Sequence, residues 1–223
     1  MRKWYLNLVL TLVAVLAMGA PAGAQQNSPE EGLSGQMSLS VHSHSSQFTD
    51  TLFQTNPLDY PATEGDQFSY SSIPCSRPAP FNDRSLEFNP DYPGIEDPAS
   101  TRHFVEGTIT SVDENGRTGT IEGTITTILC VDGQESEHTI TTAFEGRFVE
   151  TPNGLRIVGT YEIVDGTGVF EDLEGDGRIT GTITCLPSTL ERQAAESCAE
   201  LGVYSDAVFQ LHGSFEDPTV PSG

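Results

Sequence analysis

Between Phe104 and Cys185 apolar and polar residues alternate at period two, and short turn signals interrupt the alternation. Period two sends successive side chains to opposite faces of an extended chain, so each run offers one face to a core and the other to water. Residues 104–113 are the first run, and the Asn115-Gly116 dipeptide behind it is a hairpin signal. Residues 118–131 follow, with Gly119, Ile121, Gly123, Ile125 and Leu129 on one face and Thr120, Glu122, Thr124 and Thr126 on the other. Asp132-Gly133 turns the chain into residues 137–149, whose inner set is Ile140, Phe144 and Phe148. Asn153-Gly154 turns it again into residues 155–164. Connections this short make sequence neighbours antiparallel partners.

Residues 161–177, YEIVDGTGVFEDLEGDG, organise the rest. The spacing predicts a tight turn at Asp165, Gly166, Thr167 and Gly168, where glycine enters positive φ without a Cβ clash. Phe170 then supplies an apolar anchor, and Gly175 and Gly177 share a face with Ile179, Gly181 and Ile183. The tetrapeptide Gly-Thr-Ile-Thr begins at Gly107, Gly123 and Gly181, unevenly spaced, so it is a repeated local solution rather than a solenoid period. Small beside large on the inner face suits a tapering interior. The pattern predicts an all-β fold: an antiparallel closed β-barrel of about eight strands over residues 103–217, with a final strand at 206–215 and a tail at 218–223. One helix is expected at 188–201, from the capping pattern Ser188 to Glu191, the face Leu190, Ala194, Cys198 and Leu201, and Gly202 as its stop.

Upstream, residues 1–24 read as a signal peptide: Arg2 and Lys3, an apolar run from Leu8 to Ala17, then Ala22-Gly23-Ala24. The run is shorter than the ~20 residues of a spanning helix, which predicts a secreted or periplasmic protein with no membrane insertion. Residues 25–35 read as a disordered leader. Residues 36–102 hold short strands at 37–41 and 67–71 and a long ordered loop with eight prolines from Pro57 to Pro98 and many aromatics. That loop is read as a segment wrapping apolar surface, with a lid as the alternative.

Charge narrows the function classes. Beyond residue 24 the chain carries eight arginines, no lysine and 32 acids, a formal net charge of −24. Such a surface repels nucleic acid and anionic lipid, and no lysine is left for Schiff-base or nucleophilic chemistry. The four cysteines, Cys75, Cys130, Cys185 and Cys198, argue for two disulfides in an exported chain. Three connectivities are open, and the reading favours Cys185–Cys198 with Cys75–Cys130. No C-x-x-C pair supports zinc. His42 and His44 share a strand face as half of a metal site would, but a solvent-facing strand end explains them, and His103, His138 and His212 are scattered. Asp172, Glu174 and Asp176 match the opening of a calcium loop, yet Ile183 stands where its terminal acid belongs, so a solvated acidic face is preferred and no metal is assigned.

Gly159-Thr160-Tyr161-Glu162-Ile163, then Asp165-Gly166-Thr167-Gly168-Val169-Phe170, then Leu173-Glu174-Gly175, resemble the small antiparallel barrels of allene oxide cyclases and plant dirigent proteins. The resemblance covers residues 104–186, with Asp165 where a first glycine is common. It implies an eight-stranded barrel, often oligomeric, whose members cyclise or steer reactive small molecules. Those barrels carry polar groups inside; between Val105 and Ile183 the inward polar residues here are Ser111, Thr127 and Thr142. No catalytic residue and no cofactor follow. The expected role is binding of a small apolar ligand or a partner at the barrel mouth. The alternatives are an extracellular structural scaffold and a cofactor-independent cyclase or isomerase.

Overall fold

Turn chemistry sets the antiparallel meander. Strand β5 (Ala99–Val112) passes to β6 (Thr118–Val131) through a loop in which Gly116 has φ 70° and the Asp113 carboxylate accepts the backbone N–H of Arg117 at 2.8 Å. From β6 to β7 (Gln134–Thr151) the two-residue turn Asp132 (φ 51°) and Gly133 (φ 74°) has the paired positive φ of a type I′ hairpin, whose twist matches its strands. Thr151 pairs with Gly154 at the start of β8 (Gly154–Thr167). A 3-10 turn at Gly168–Phe170 leads on to β9 (Glu174–Thr184).

The computed structural model describes residues 32–44, 55–72, 74–75, 84–89, 92–93, 95, 99–185, 198 and 202–221. The remaining strands are β1 (Gly32–His44), β2 (Leu58–Asp59), β3 (Gln67–Ser71), β4 (Arg84–Asn89), β10 (Val203–Tyr204) and β11 (Asp206–Pro221). The molecule is mostly antiparallel β-sheet. Hydrogen-bonded neighbours run β11-β9-β8-β7-β6-β5-β3-β1-β4, with further pairings of β11 to β1 and β5 to β4, and β2 pairs with β10 in a small second sheet.

Several expectations are corrected. The leader at 25–35 was expected to be disordered, but Gly32 to Gly35 are the first residues of β1 and pair with β11. The tail expected at 218–223 begins within a strand: β11 runs to Pro221, which pairs with Gly32, and Asp217 is buried. β1 therefore belongs to the main sheet, which the expected 103–217 boundary left out. The turn expected from Asp165 comes later, because Asp165, Gly166 and Thr167 still pair with Thr141, Ile140 and Thr139 of β7. Only Gly168 of the two turn glycines has positive φ, 64°. Gly166 is needed for a different reason: a Cβ there would stand 1.9 Å from the Phe170 carbonyl oxygen. Phe170 is the buried anchor of the turn. The helix at 188–201 lies outside the described residues except for Cys198, whose carbonyl accepts the N–H of Gly202 (φ 72°) at 2.9 Å.

Cys75 is bonded to Cys130 and Cys185 to Cys198, with Cα–Cα distances of 5.5 and 5.1 Å. The first bond ties the proline-rich segment to the end of β6. That segment also contributes Leu58, Ala62, Phe68, Tyr70 and Tyr92 to the core.

Candidate functional site

The sheet's inner face is filled by a small-against-large pattern. One cross-strand row reads Gly107, Gly123, Phe144, Tyr161, Gly177, Gly213 and Met37; the next reads Ile109, Ile121, Gly146, Gly159, Ile179, Leu211 and Leu39. Aromatic rings lie over the glycines. A Cβ on Gly107 would meet the Phe68 ring at 2.4 Å, on Gly119 the Phe148 ring at 2.5 Å, on Gly123 the Phe144 ring at 2.8 Å, and on Gly181 the Phe209 ring at 2.4 Å. An interior glycine costs a strand about 0.5–1 kcal/mol, whereas burying a phenylalanine contributes about 1.5–3 kcal/mol, so each exchange favours the ring. Phe68, Phe144, Phe148 and Phe209, whose rings lie against these glycines, are all buried.

Among the buried polar groups, His103 and Tyr161 bear most on chemistry. His103 on β5 is 1% exposed; its Nε2 is 3.0 Å from the Thr101 hydroxyl and its Nδ1 3.1 Å from that of Thr127. Burial, aided by His42, pushes its pKa down to about 3, so the imidazole is neutral at ordinary pH. Counting inward polar residues from Val105 missed it, although His103 lies two residues earlier on the same face. The Tyr161 hydroxyl is buried with no hydrogen-bond partner among the described residues, and burial, then the nearby Asp176, raises its pKa to about 12. At neutral pH the imidazole is therefore uncharged and the phenol protonated. The expected polar positions divide: Thr127 and Thr142 are buried, Ser111 half-buried. His42 on β1 is half-buried, and the side chain of His44 is outside the description. Among the described residues no group of three or more His, Cys, Asp or Glu is placed to hold a metal ion.

The outer face of β6 to β9 is the candidate site. Arg147 stands opposite Thr120 and Val158, Arg156 opposite Val149 and Thr182, and Arg178 opposite Thr160 and His212. All three arginines are exposed, as are Val149 and Val158. Further along β6 to β9 acids face acids, Glu122 with Glu145, Glu162 with Asp176, and Glu174 with Glu216 of β11, while Arg178 stands in the row of Glu122 and Glu145. A groove of about 700 Å³ at the acidic end is lined by Glu162, Asp165, Glu171, Asp172, Glu174 and Asp176, together with Leu173 and Phe215. These include the residues of the calcium-like spacing, with Glu174 and Asp176 exposed on β9. Comparisons with protein-family models, curated proteins and solved structures found no match to this chain. The outer face therefore has to be judged on its own chemistry, which is that of a surface divided by charge. Among the described residues no helix is long and apolar enough to cross a membrane.

Proposed function

We propose that this protein is an exported interaction scaffold: a disulfide-linked, closed eight-stranded antiparallel β-barrel with a sealed interior, acting through its outer face. Closure is supported by the register. From Ile109 on β5, paired residues lead through Ile121, Gly146, Gly159, Ile179, Leu211, Leu39 and Leu86 back to β5 at Ala99, ten residues along the same strand. A path that returns to its own strand with a stagger is what a tilted barrel requires. Seven long strands and one place shared by β3 and β4 make up the ring. Export is supported by the N-terminal run and the two disulfides. The resemblance to allene oxide cyclase and dirigent barrels enters for architecture alone.

The observation that carries the reading is the packing of aromatic rings over the inner glycines. Binding of a small apolar ligand, and cyclase or isomerase chemistry, both need an open lumen, and the groove at the mouth is lined by carboxylates. Native mass spectrometry of the purified protein, with fluorescence of an apolar dye such as anilinonaphthalene sulfonate, tests this. The expected result is a bare polypeptide mass and no dye binding before unfolding. A stoichiometric small molecule retained by the folded protein overturns the scaffold reading.

A further inference from the structure

The outer face of β7 and β8 changes sign along the strands. At one end stand Arg147 and Arg156, opposite Val158 and Val149; two residues along β7 and six along β8 stand Glu145 and Glu162. All six are exposed. Among the described residues the one ion pair is Arg102 with Glu135, so neither Arg147 nor Arg156 has an ion-pair partner among them, although the full sequence carries a formal net charge of −22. Two exposed valines between unpaired arginines form a half-apolar patch unlike the threonine and acid rows around it.

We infer that this face binds a second copy of the chain about a two-fold axis lying across the strands. The division of charge selects the occupant. A uniformly acidic partner fits the arginines but meets the acid rows beside them, and a basic partner has the opposite fault. A surface with the same division in reverse fits both halves, and a two-fold operation supplies it from the same sequence. An axis along the strands between β7 and β8 would set Arg147 over Val158 and Arg156 over Val149, leaving the arginines without carboxylates; an axis across them reverses the strand direction. With the axis midway between the Arg147–Val158 and Glu145–Thr160 pairs, Arg147 meets Glu145 of the second copy and Arg156 meets its Glu162. Val149 then lies over Ala143 and Val158 over Thr160, so that uncharged contacts alternate with four ion pairs. The net charges of the two copies repel, but that repulsion is screened beyond ~8 Å at physiological ionic strength, whereas the contact pairs are not. The inference rests on the outer face being the working surface.

Sedimentation velocity at physiological ionic strength tests it with two double variants. Arg147→Glu/Arg156→Glu makes the face all acidic, and Glu145→Arg/Glu162→Arg makes it all basic. The wild type should sediment as a concentration-dependent dimer. Each variant alone should associate roughly 100-fold more weakly or worse, because like charges now face each other. Mixed in equal amounts, the two should form a heterodimer, a result that loss of folding cannot imitate. A wild-type monomer at all concentrations, a dimer indifferent to both variants, or variants that stay apart on mixing each overturn the inference. A monomer whose interior still holds no ligand removes the dimer and leaves the scaffold reading standing.

Discussion

The Tyr92 hydroxyl donates a hydrogen bond to the Asp217 carboxylate, joining the proline-rich segment to the far end of β11. The Tyr92 ring packs against Phe170 and Phe215, with centroids 5.4 and 6.0 Å away, and so covers one end of the core. Asp217 is 1% exposed and also accepts the Thr219 hydroxyl at 2.8 Å and the Thr219 N–H at 2.9 Å. Tyr92 is therefore a plug over this end of the sheet, held by its polar tip.

Burial alone opposes ionisation of Asp217, but the hydrogen bonds from Tyr92, Thr219 and Val220 outweigh it and hold the carboxyl below its usual range. A depressed carboxylate contributes stability above its unfolded pKa of about 3.9, and that stability is lost as pH falls through the lower folded value. Tyr92→Phe keeps the ring and removes one charge-assisted bond, at an expected cost of about 1.5–3 kcal/mol. Asp217→Asn should flatten the acid limb of a stability-versus-pH curve measured by urea unfolding. An unchanged limb would mean that the plug is not held by its charge.

His103 gives a second acid dependence in a different window. Its folded pKa of about 3 lies below an unfolded value of 6.5, so the unfolded chain takes up the proton first. Stability should be level above that unfolded value and fall as pH drops below it, by up to about 1.4 kcal/mol per pH unit. His103→Gln should remove this slope. In the wild type the imidazole resonances of His103 should not titrate between neutral pH and the onset of acid unfolding.

Gly159 faces Gly146 across β7 and β8 with no room for a side chain. A Cβ there would stand 2.0 Å from the Glu145 carbonyl oxygen and 2.6 Å from the Gly146 Cα, both backbone atoms that cannot rotate away. Gly159→Ala should destabilise by at least about 1–3 kcal/mol. At Gly116 a Cβ meets nothing within 4 Å, and only its φ of 70° is a strain, so Gly116→Ala should cost less, about 1 kcal/mol. Equal losses at the two positions would show that the sheets are not packed this closely.

Three pairs of acids face each other across neighbouring strands, Glu122–Glu145, Glu162–Asp176 and Glu174–Glu216. Like charges directly opposite are destabilising, and salt screens them. Thermal midpoints should rise with sodium chloride. Glu122→Gln/Glu162→Gln should raise the midpoint at low salt and reduce its dependence on salt. A midpoint independent of ionic strength would show that these pairs carry no net repulsion in the folded protein.

Much of the antiparallel sheet was legible because its signals are local. Asp132-Gly133 makes its turn through two backbone dihedrals, and Ile121 and Ile125 face inward because they are an even number of residues apart. The inner glycine and isoleucine sets on β6, β8 and β9 fall where alternation puts them. Of the candidate site, the outward alternation of Arg147, Arg156 and Arg178 was readable, but their position against Val158, Val149 and the acid pairs was not. Cross-strand register depends on which strands meet, and a run of alternating residues does not name its neighbour.

The sequence by itself determined that this chain forms antiparallel hairpins with glycine-rich inner faces, because period and turn chemistry act within a few residues. Only the tertiary structure decided that Gly32 to Gly35 and Asp217 to Pro221 form strand instead of leader and tail. Each of these segments is weakly patterned alone and is held by its pairing with the other, some 180 residues apart. The same holds for His103, Tyr92 and Asp217. Their burial follows from what closes over them, which no local pattern encodes.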